Sequence, residues 1–357
     1  MSKILYAAST IGHINNFHLP YIEKLRLDGN EVFTMARGEG ADFDIPFVKK
    51  MLSPKNFFVR RRIKRILKSE KFDTVILNTT LAAFHIRLAM QKKERPKVIN
   101  IVHGYLFSEH SSKLKYKLML FCEKILRKKT DSIVVMNSAD FEIATSNSLC
   151  ISDVKMTYGM GAKVSKQSTP CEKIRQYIGA EQKFLMCFVG ELSARKNQRF
   201  LICALPEIKI SIPDAELILV GSGALERELK ELSEKLGVSS YVHFVGQKPN
   251  PCDFIYACDL YVSASEIEGM PFNIIEALGC KKTVLCSNIK GHTDLIENEK
   301  SGYLYSFADI SKFVEMVKEI HSGKLSLSSD AIIEKYKEYS FDQVFSNTYE
   351  TIKELIL

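Results

Sequence analysis

The stretch Ser265-Glu266-Ile267-Glu268-Gly269-Met270-Pro271-Phe272-Asn273-Ile274-Ile275-Glu276-Ala277 sets two carboxylates around a helix start. It follows an apolar run, Leu260–Ser263, that reads as a strand. Pro271 suits the first helical position, because the N–H it lacks has no partner there in any case. The amides around Gly269, Met270 and Pro271, together with the positive end of the helix dipole, make a site for phosphate. Glu276 comes five residues later, a rise of ~7.5 Å, which spans the distance from a diphosphate to the ribose of the same nucleotide. Glu268 stays in the loop, beside whatever the phosphate carries. One carboxylate accepting from ribose hydroxyls and another from sugar hydroxyls suits a nucleotide-sugar.

Val189-Gly190-Glu191-Leu192-Ser193-Ala194-Arg195-Lys196-Asn197 is again strand, glycine loop and helix start. Adjacent cations at a helix start repel unless an anion lies between them and the amides; a phosphate is one reading and a solvated surface pair the other. Val220-Gly221-Ser222-Gly223-Ala224-Leu225-Glu226 approaches a dinucleotide fingerprint but has Glu226 where the third glycine belongs. His103 ends the run Ile99-Asn100-Ile101-Val102, a central strand, where a histidine is either structural or functional. Asp42-Phe43-Asp44 spells D-x-D but follows Gly38-Glu39-Gly40, away from a central strand end, and reads as chance. P-loop, zinc-protease and serine-hydrolase signatures are absent.

Glu268 to Glu276 resembles the E-x7-E signature of retaining glycosyltransferases of the two-Rossmann-domain class, GT-B, in particular glycosyltransferase family 4. Gly269, Pro271 and Ala277 stand in the family's places. The resemblance implies that Lys196 grips the donor diphosphate. Glu191 occupies the position of the usual Arg, and Arg195 takes over that charge. It also makes Gly221 and Gly223 part of the framework, sets Val245 and Gln247 against the nucleobase, and brings His103 to the transferred sugar. Gly12-His13, after the first strand, resembles the loop under the donor phosphates, with Gly12 there for close backbone approach. His13 and His18 remain open between acceptor contact and plain surface.

Short β-branched runs alternate with longer amphipathic ones, which predicts two doubly wound parallel sheets facing a cleft. The expected strands are Lys3–Ala8, Glu31–Ala36, Thr74–Leu77, Val98–Val102 and Ser132–Met136, then Phe184–Val189, Glu216–Val220, Val242–Phe244, Leu260–Ser263, Thr283–Cys286 and Gly302–Tyr305. In the first half the expected helices are Asn15–Leu27, Phe57–Ser69, Leu81–Lys92, Lys113–Lys129 and Ala139–Asn147. A linker composition around residues 158–170 separates residues 1–165, an acceptor domain, from 166–340, a nucleotide-sugar domain; 341–357 form a closing helix. At 357 residues, 46% hydrophobic and 26% charged, the chain is sized for two globular domains. Nine cysteines without C-x-x-C spacing read as reduced core thiols, which argues against disulfides or structural zinc.

Charge is unevenly divided. Residues 1–166 hold 29 Lys and Arg against 15 Asp and Glu, net +14, and the remainder 21 against 27, net −6. Segments 55–71 and 113–129 interleave cations with apolar residues at helical spacing, a pattern that either lies on an anionic membrane or is an ordinary solvated face. Two such segments on one domain favour the membrane.

With the family resemblance, these features imply a hexose moved from a UDP-sugar to a lipid-linked saccharide, with retention and without metal or cofactor. The acceptor would be a polyprenyl-diphosphate saccharide of capsule, exopolysaccharide or O-antigen synthesis. With no signal-peptide layout and no apolar run of membrane-crossing length, the chain is expected in the cytoplasm, on the inner membrane face. A nucleotide-sugar epimerase of the same architecture is the nearest alternative. A basic module that binds nucleic acid is the alternative of another class, and no recognised nucleic-acid motif supports it.

Overall fold

Apolar runs such as Thr74–Asn78 and Ala215–Val220 are buried along their whole length, as strands covered on both faces must be. The structure is a computed structural model that describes residues 1–51, 53–91 and 95–357. It divides into two units, Met1–Met160 with Val344–Leu357, and Gly161–Gln343. The helix Phe341–Ile356 thus belongs from Val344 onward to the first unit. There Thr348 Oγ1 donates to the Gly159 carbonyl at 2.9 Å, and the Tyr349 hydroxyl donates to Asp28 at 2.8 Å.

In the first unit the strands are β1 Lys3–Thr10, β2 Glu31–Arg37, β3 Phe43–Asp44, β4 Thr74–Asn78, β5 Lys97–Val102, β6 Ser132–Val135 and β7 Val154–Met156. They form one parallel sheet in the order β3-β2-β1-β4-β5-β6-β7. The second unit has β8 Phe184–Val189, β9 Ala215–Val220, β10 Val242–Gly246, β11 Leu260–Ser263, β12 Val284–Ser287 and β13 Tyr303–Tyr305, parallel in the order β10-β9-β8-β11-β12-β13. Each sheet therefore reverses its strand order beside its first strand, the Rossmann arrangement, and leaves a binding crevice at that switch point.

Several elements differ from expectation. The helix expected over Asn15–Leu27 is two, Ile11–Phe17 and Leu19–Leu27, broken at His18 because Pro20 has no N–H to continue the ladder. Gly12 and His13 are consequently in a first helical turn and not in a loop; Thr10 caps that turn by accepting from the His13 N–H. A methyl group at Gly12 would meet nothing within 4 Å, so no close approach within the chain requires glycine there. Helix Thr80–Ala89 stops before its expected end, Lys92, which lies outside the described residues. The helix from Lys113 ends at Leu126 and tightens into a single turn over Arg127–Lys129. Two short edge strands, β3 and β7, carry too few residues to show a period. In the D-x-D, Asp42 accepts from Thr34 and Asp44 accepts from the Gly38 N–H, so both carboxylates serve the turn.

Both basic segments are helices. Pro54–Glu70 buries Val59 and Ile63 and exposes Phe57 and Phe58. Lys113–Leu126 buries only Glu123 and Leu126, while Leu114, Leu118, Phe121 and Ile125 stand exposed along one stripe. Tyr116, Met119 and Leu120 pack its inner side on the core around Val102 and Phe107, and a buried ion pair adds a polar tie. Arg87, fully buried in helix Thr80–Ala89, makes a two-pronged pair with Glu123 at 2.9 and 3.2 Å and donates to Thr130 Oγ1 at 3.1 Å. Among the described residues no helix is long and apolar enough to cross a membrane.

Removing one partner leaves the other charge buried and uncompensated, which costs about 3–5 kcal/mol. Glu123→Ala is therefore expected to lower unfolding stability by that amount in urea titrations. Arg87→Met with Glu123→Leu is expected to recover most of it; a single variant as stable as the parent would show that the pair does not hold this helix.

Candidate active site

The second unit gathers its polar groups where β8, β11 and β12 end. The loop after β8 tightens into a turn, Ala194–Lys196, and the loop after β11 runs through Glu268 to the helix Phe272–Gly279. The Glu266 N–H donates to the Arg195 carbonyl at 2.9 Å, and Asn273 Nδ2 donates to the Val189 carbonyl at 2.8 Å. These two bonds tie the glycine loop to the helix start. Pro271 is the N-cap, with ψ of 104°, and the helix begins at Phe272, one residue later than expected. No side chain caps it, and the Ile274 and Ile275 N–H groups both donate to the Pro271 carbonyl.

Glu268 is buried at the centre of this arrangement. Its two oxygens accept from Lys196 Nζ at 2.5 Å and Arg195 Nη1 at 2.7 Å; Arg195 also donates to the Ile267 carbonyl. The sequence reading gave both cations to a diphosphate and left Glu268 free for sugar hydroxyls. In the structure the three form one ion cluster. Burial alone would raise the Glu268 carboxyl, but attraction from Lys196, Arg195 and His292 and the bond from Lys196 hold it down at about 2. It is a carboxylate at neutral pH.

Glu276 is the opposite case. Burial and the nearby Cys252 thiol push it up to about 8, and no described residue donates to it. Lacking a cation, it keeps its proton. A hydroxyl-bearing ligand or a nearby positive charge would be needed to make it an acceptor.

The loop after β12, Lys290-Gly291-His292, was missed by sequence reasoning. Gly291 has φ of 82°, and a methyl group there would lie 2.7 Å from the Gly269 carbonyl oxygen and 3.0 Å from Glu268, so only glycine lets this loop back the loop of Glu268 and Gly269. His292 is buried, with Nδ1 2.8 Å from the Ser287 carbonyl, and burial lowers it to about 4. A glycine four residues past the end of β12 was the available signal.

A cavity of about 390 Å³ opens at the ends of β8, β9 and β10, lined by Gly190, Glu191, Gly221, Ser222, Gln247 and Lys248 among others. Its neck depends on Gly221, where a methyl group would sit 2.0 Å from the Gly190 carbonyl oxygen. Glu191 lines this cavity, and Arg195, four residues on, is the cation that turns toward Glu268. Gln247 lines it too, whereas Val245 is half-buried within β10 and does not. Gly269, Met270 and Pro271 are buried beside Glu268.

In the first unit His103 follows β5 directly and is half-buried, with Nε2 3.3 Å from Asn78 Oδ1. It does not stand alone. The His13 and His18 rings lie 4.9 and 4.8 Å from it, and their Nε2 atoms are 3.3 Å apart. His18 is fully buried, which rules out the plain-surface reading for it; the Tyr6 hydroxyl lies 3.0 Å from its Nδ1. All nine cysteines are free thiols.

Residues 171–338 match the family model described as glycosyl transferases group 1. The chain is 28% identical over 332 residues to the putative glycosyltransferase EpsD of Bacillus subtilis, covering 89% of this chain and 87% of that protein. It is 27% identical to a UDP-Gal:alpha-D-GlcNAc-diphosphoundecaprenol alpha-1,3-galactosyltransferase of Escherichia coli, over 73% and 69% of the two chains. Among solved structures, Anabaena Alr3699/HepE in complex with UDP-glucose superposes with a TM-score of 0.76 at 18% identity, over 99% of this chain and 100% of that one.

The Glu276 proton has a thermodynamic consequence. The folded chain keeps it up to about pH 8, while an unfolded glutamate releases it near pH ~4.3. Stability therefore falls as pH rises between those values. Glu276→Gln removes that loss. The variant is expected to match the parent at pH 4 and to exceed it by about 2–4 kcal/mol at pH 8, in urea unfolding without nucleotide. A difference that does not change with pH would mean that Glu276 is ionised in the folded chain.

Proposed function

We propose that this chain, a glycosyltransferase of the GT-B class whose residues 171–338 form a group 1 domain, moves a hexose from a UDP-sugar to a hydroxyl of a lipid-linked saccharide with retention at the anomeric carbon. The observation that carries this reading is the cluster of Glu268, Arg195 and Lys196 beside an uncapped helix start, with Glu276 one helical turn further on. The E. coli relative is named for a UDP-galactose donor and a diphosphoundecaprenol acceptor, and the Anabaena structure holds UDP-glucose; both names support the choice of donor and acceptor class.

In this reading the base and ribose occupy the cavity at Gln247, and the ribose hydroxyls approach Glu276. The diphosphate draws Arg195 and Lys196 away from Glu268 or shares them with it. Glu268, held as a carboxylate, then accepts from the sugar hydroxyls, and His103 contacts the transferred sugar. The bond from the anomeric carbon to the diphosphate oxygen breaks as the acceptor oxygen bonds to the same face. The acceptor proton passes to the departing diphosphate. Two cations and the helix amides stabilise the charge on that diphosphate, so this chemistry needs no metal there.

Capsule, exopolysaccharide or O-antigen synthesis is the process proposed, at an anionic membrane surface. Support for the surface comes from the two basic helices, which expose Phe57, Phe58, Leu114, Leu118, Phe121 and Ile125 among their cations. Arg60 stacks on the Phe57 ring at 3.9 Å. Apolar side chains enter the interface while lysine and arginine meet the headgroups.

Two experiments test the reading. Calorimetric titration with UDP-, GDP- and dTDP-sugars is expected to show UDP-sugar binding. Lys196→Ala is expected to lower kcat by ~10²–10³, and the product anomer, read by NMR, to match that of the donor. An inverted product would overturn retention, and binding of none of the three would overturn the donor site. Separately, replacing Arg60, Arg61 and Arg62 by glutamine is expected to weaken binding to phosphatidylglycerol liposomes about 100-fold at low salt, since each cation contributes about 1 kcal/mol. Hydrolysis of the donor without acceptor should be unaltered, and equal liposome binding would refute the membrane role.

A further inference from the structure

His13 and His18 come from the region where the helix after β1 breaks, and His103 from the end of β5. One ring nitrogen of each lies within 4.8 Å of the others. Three imidazoles in one place are an unusual use of space, because each ring can offer at most one lone pair and wants a partner for it. Asn78 Oδ1 takes up one nitrogen of His103 and the Tyr6 hydroxyl takes up Nδ1 of His18. The Nε2 atoms of His18 and His13 lie 3.3 Å apart. Two nitrogens bound to one tetrahedral ion at 2.0–2.1 Å are separated by roughly 3.4 Å.

We propose that His13, His18 and His103 bind a first-row divalent cation, zinc above all, as three protein ligands with a fourth position open. Imidazole suits zinc, copper and nickel better than magnesium or calcium, which prefer oxygen. Tyr6 and Asn78 hold the rings from behind, as outer partners do at histidine metal sites. His13 and His103 are half-buried, so an ion can reach them from solvent. All three ligands belong to the first unit. One consequence alone rests on the role proposed for His103: a bound ion occupies the ring set against the sugar, and so inhibits transfer.

The test uses the full chain, stripped with a chelator and titrated with Co²⁺ and then Zn²⁺. The expected result is one equivalent of cobalt with the strong visible absorption of a four-coordinate ion, displaced by zinc. His13→Gln and His18→Gln should each abolish that band, and Tyr6→Phe should weaken the affinity by about 10-fold. Far-UV circular dichroism and the urea unfolding midpoint should stay close to those of the parent in all three variants. In the unsubstituted protein, zinc should protect the half-buried His13 and His103 from diethyl pyrocarbonate, which guards against a variant that fails to fold. No visible band, or a band that survives both histidine variants, would overturn the site. The assay requires no glycosyl transfer, so a failure of the proposed function and a failure of this site are separable.

Discussion

Glu268 carries a full negative charge into a buried position, and it does so only because Lys196 and Arg195 reach it from another loop. Desolvation and attraction act against each other here, and attraction wins, leaving a carboxylate acid enough to stay ionised throughout the physiological range. The arrangement of the surrounding loops follows from that pairing. The turn Ala194–Lys196 must fold against the β11 loop, and the helix Phe272–Gly279 must start where its amides add to the same positive field. A cation pair already matched to one anion is also a cation pair that a second anion can recruit. An ion cluster of this kind holds the two loops together, and under the proposed function it is where the diphosphate is received.

Eight residues further along, the same physics gives the reverse result. Glu276 meets no cation, and burial keeps it protonated. Two glutamates in one motif therefore differ in charge because of their neighbours. Such a split is common where one site must both attract a ligand and position it by hydrogen bonds. It also costs stability at neutral pH, consistent with a residue retained for binding and not for folding.

The first unit manages charge differently. Its basic helix Lys113–Leu126 is fastened by Glu123 to the buried Arg87, so its apolar stripe is left facing outward. The helix thus carries apolar side chains on two sides, Tyr116, Met119 and Leu120 inward and the stripe outward, where a surface helix ordinarily turns polar groups to solvent. Contiguous apolar side chains exposed among lysines mark an interaction surface, and the membrane role proposed above rests on it. The histidines at the ends of β1 and β5 are the other place where this unit departs from simple packing, since burial there removes their charge but not their capacity to coordinate.

Strand positions were legible from the sequence to within one to three residues wherever a run of four or more apolar residues lay between polar turns. The edge strands β3 and β7 were too short to show a period, and the break at His18 was hidden by an apolar pattern continuous across it. The E-x7-E motif was equally visible, because a strand, a loop and a helix start are set by neighbours in the chain. What the sequence could not disclose is which side chains meet. Glu268 finds Lys196 across 72 positions, and His103 finds His13 and His18 across 90 and 85. Those meetings are made by parallel strands, whose crossovers bring distant strand ends to one edge of the sheet. No local propensity or spacing records them. Protonation follows the same rule: residue types alone determined that two carboxylates flank a helix start, and only the packed environment decided that one is charged and the other is not.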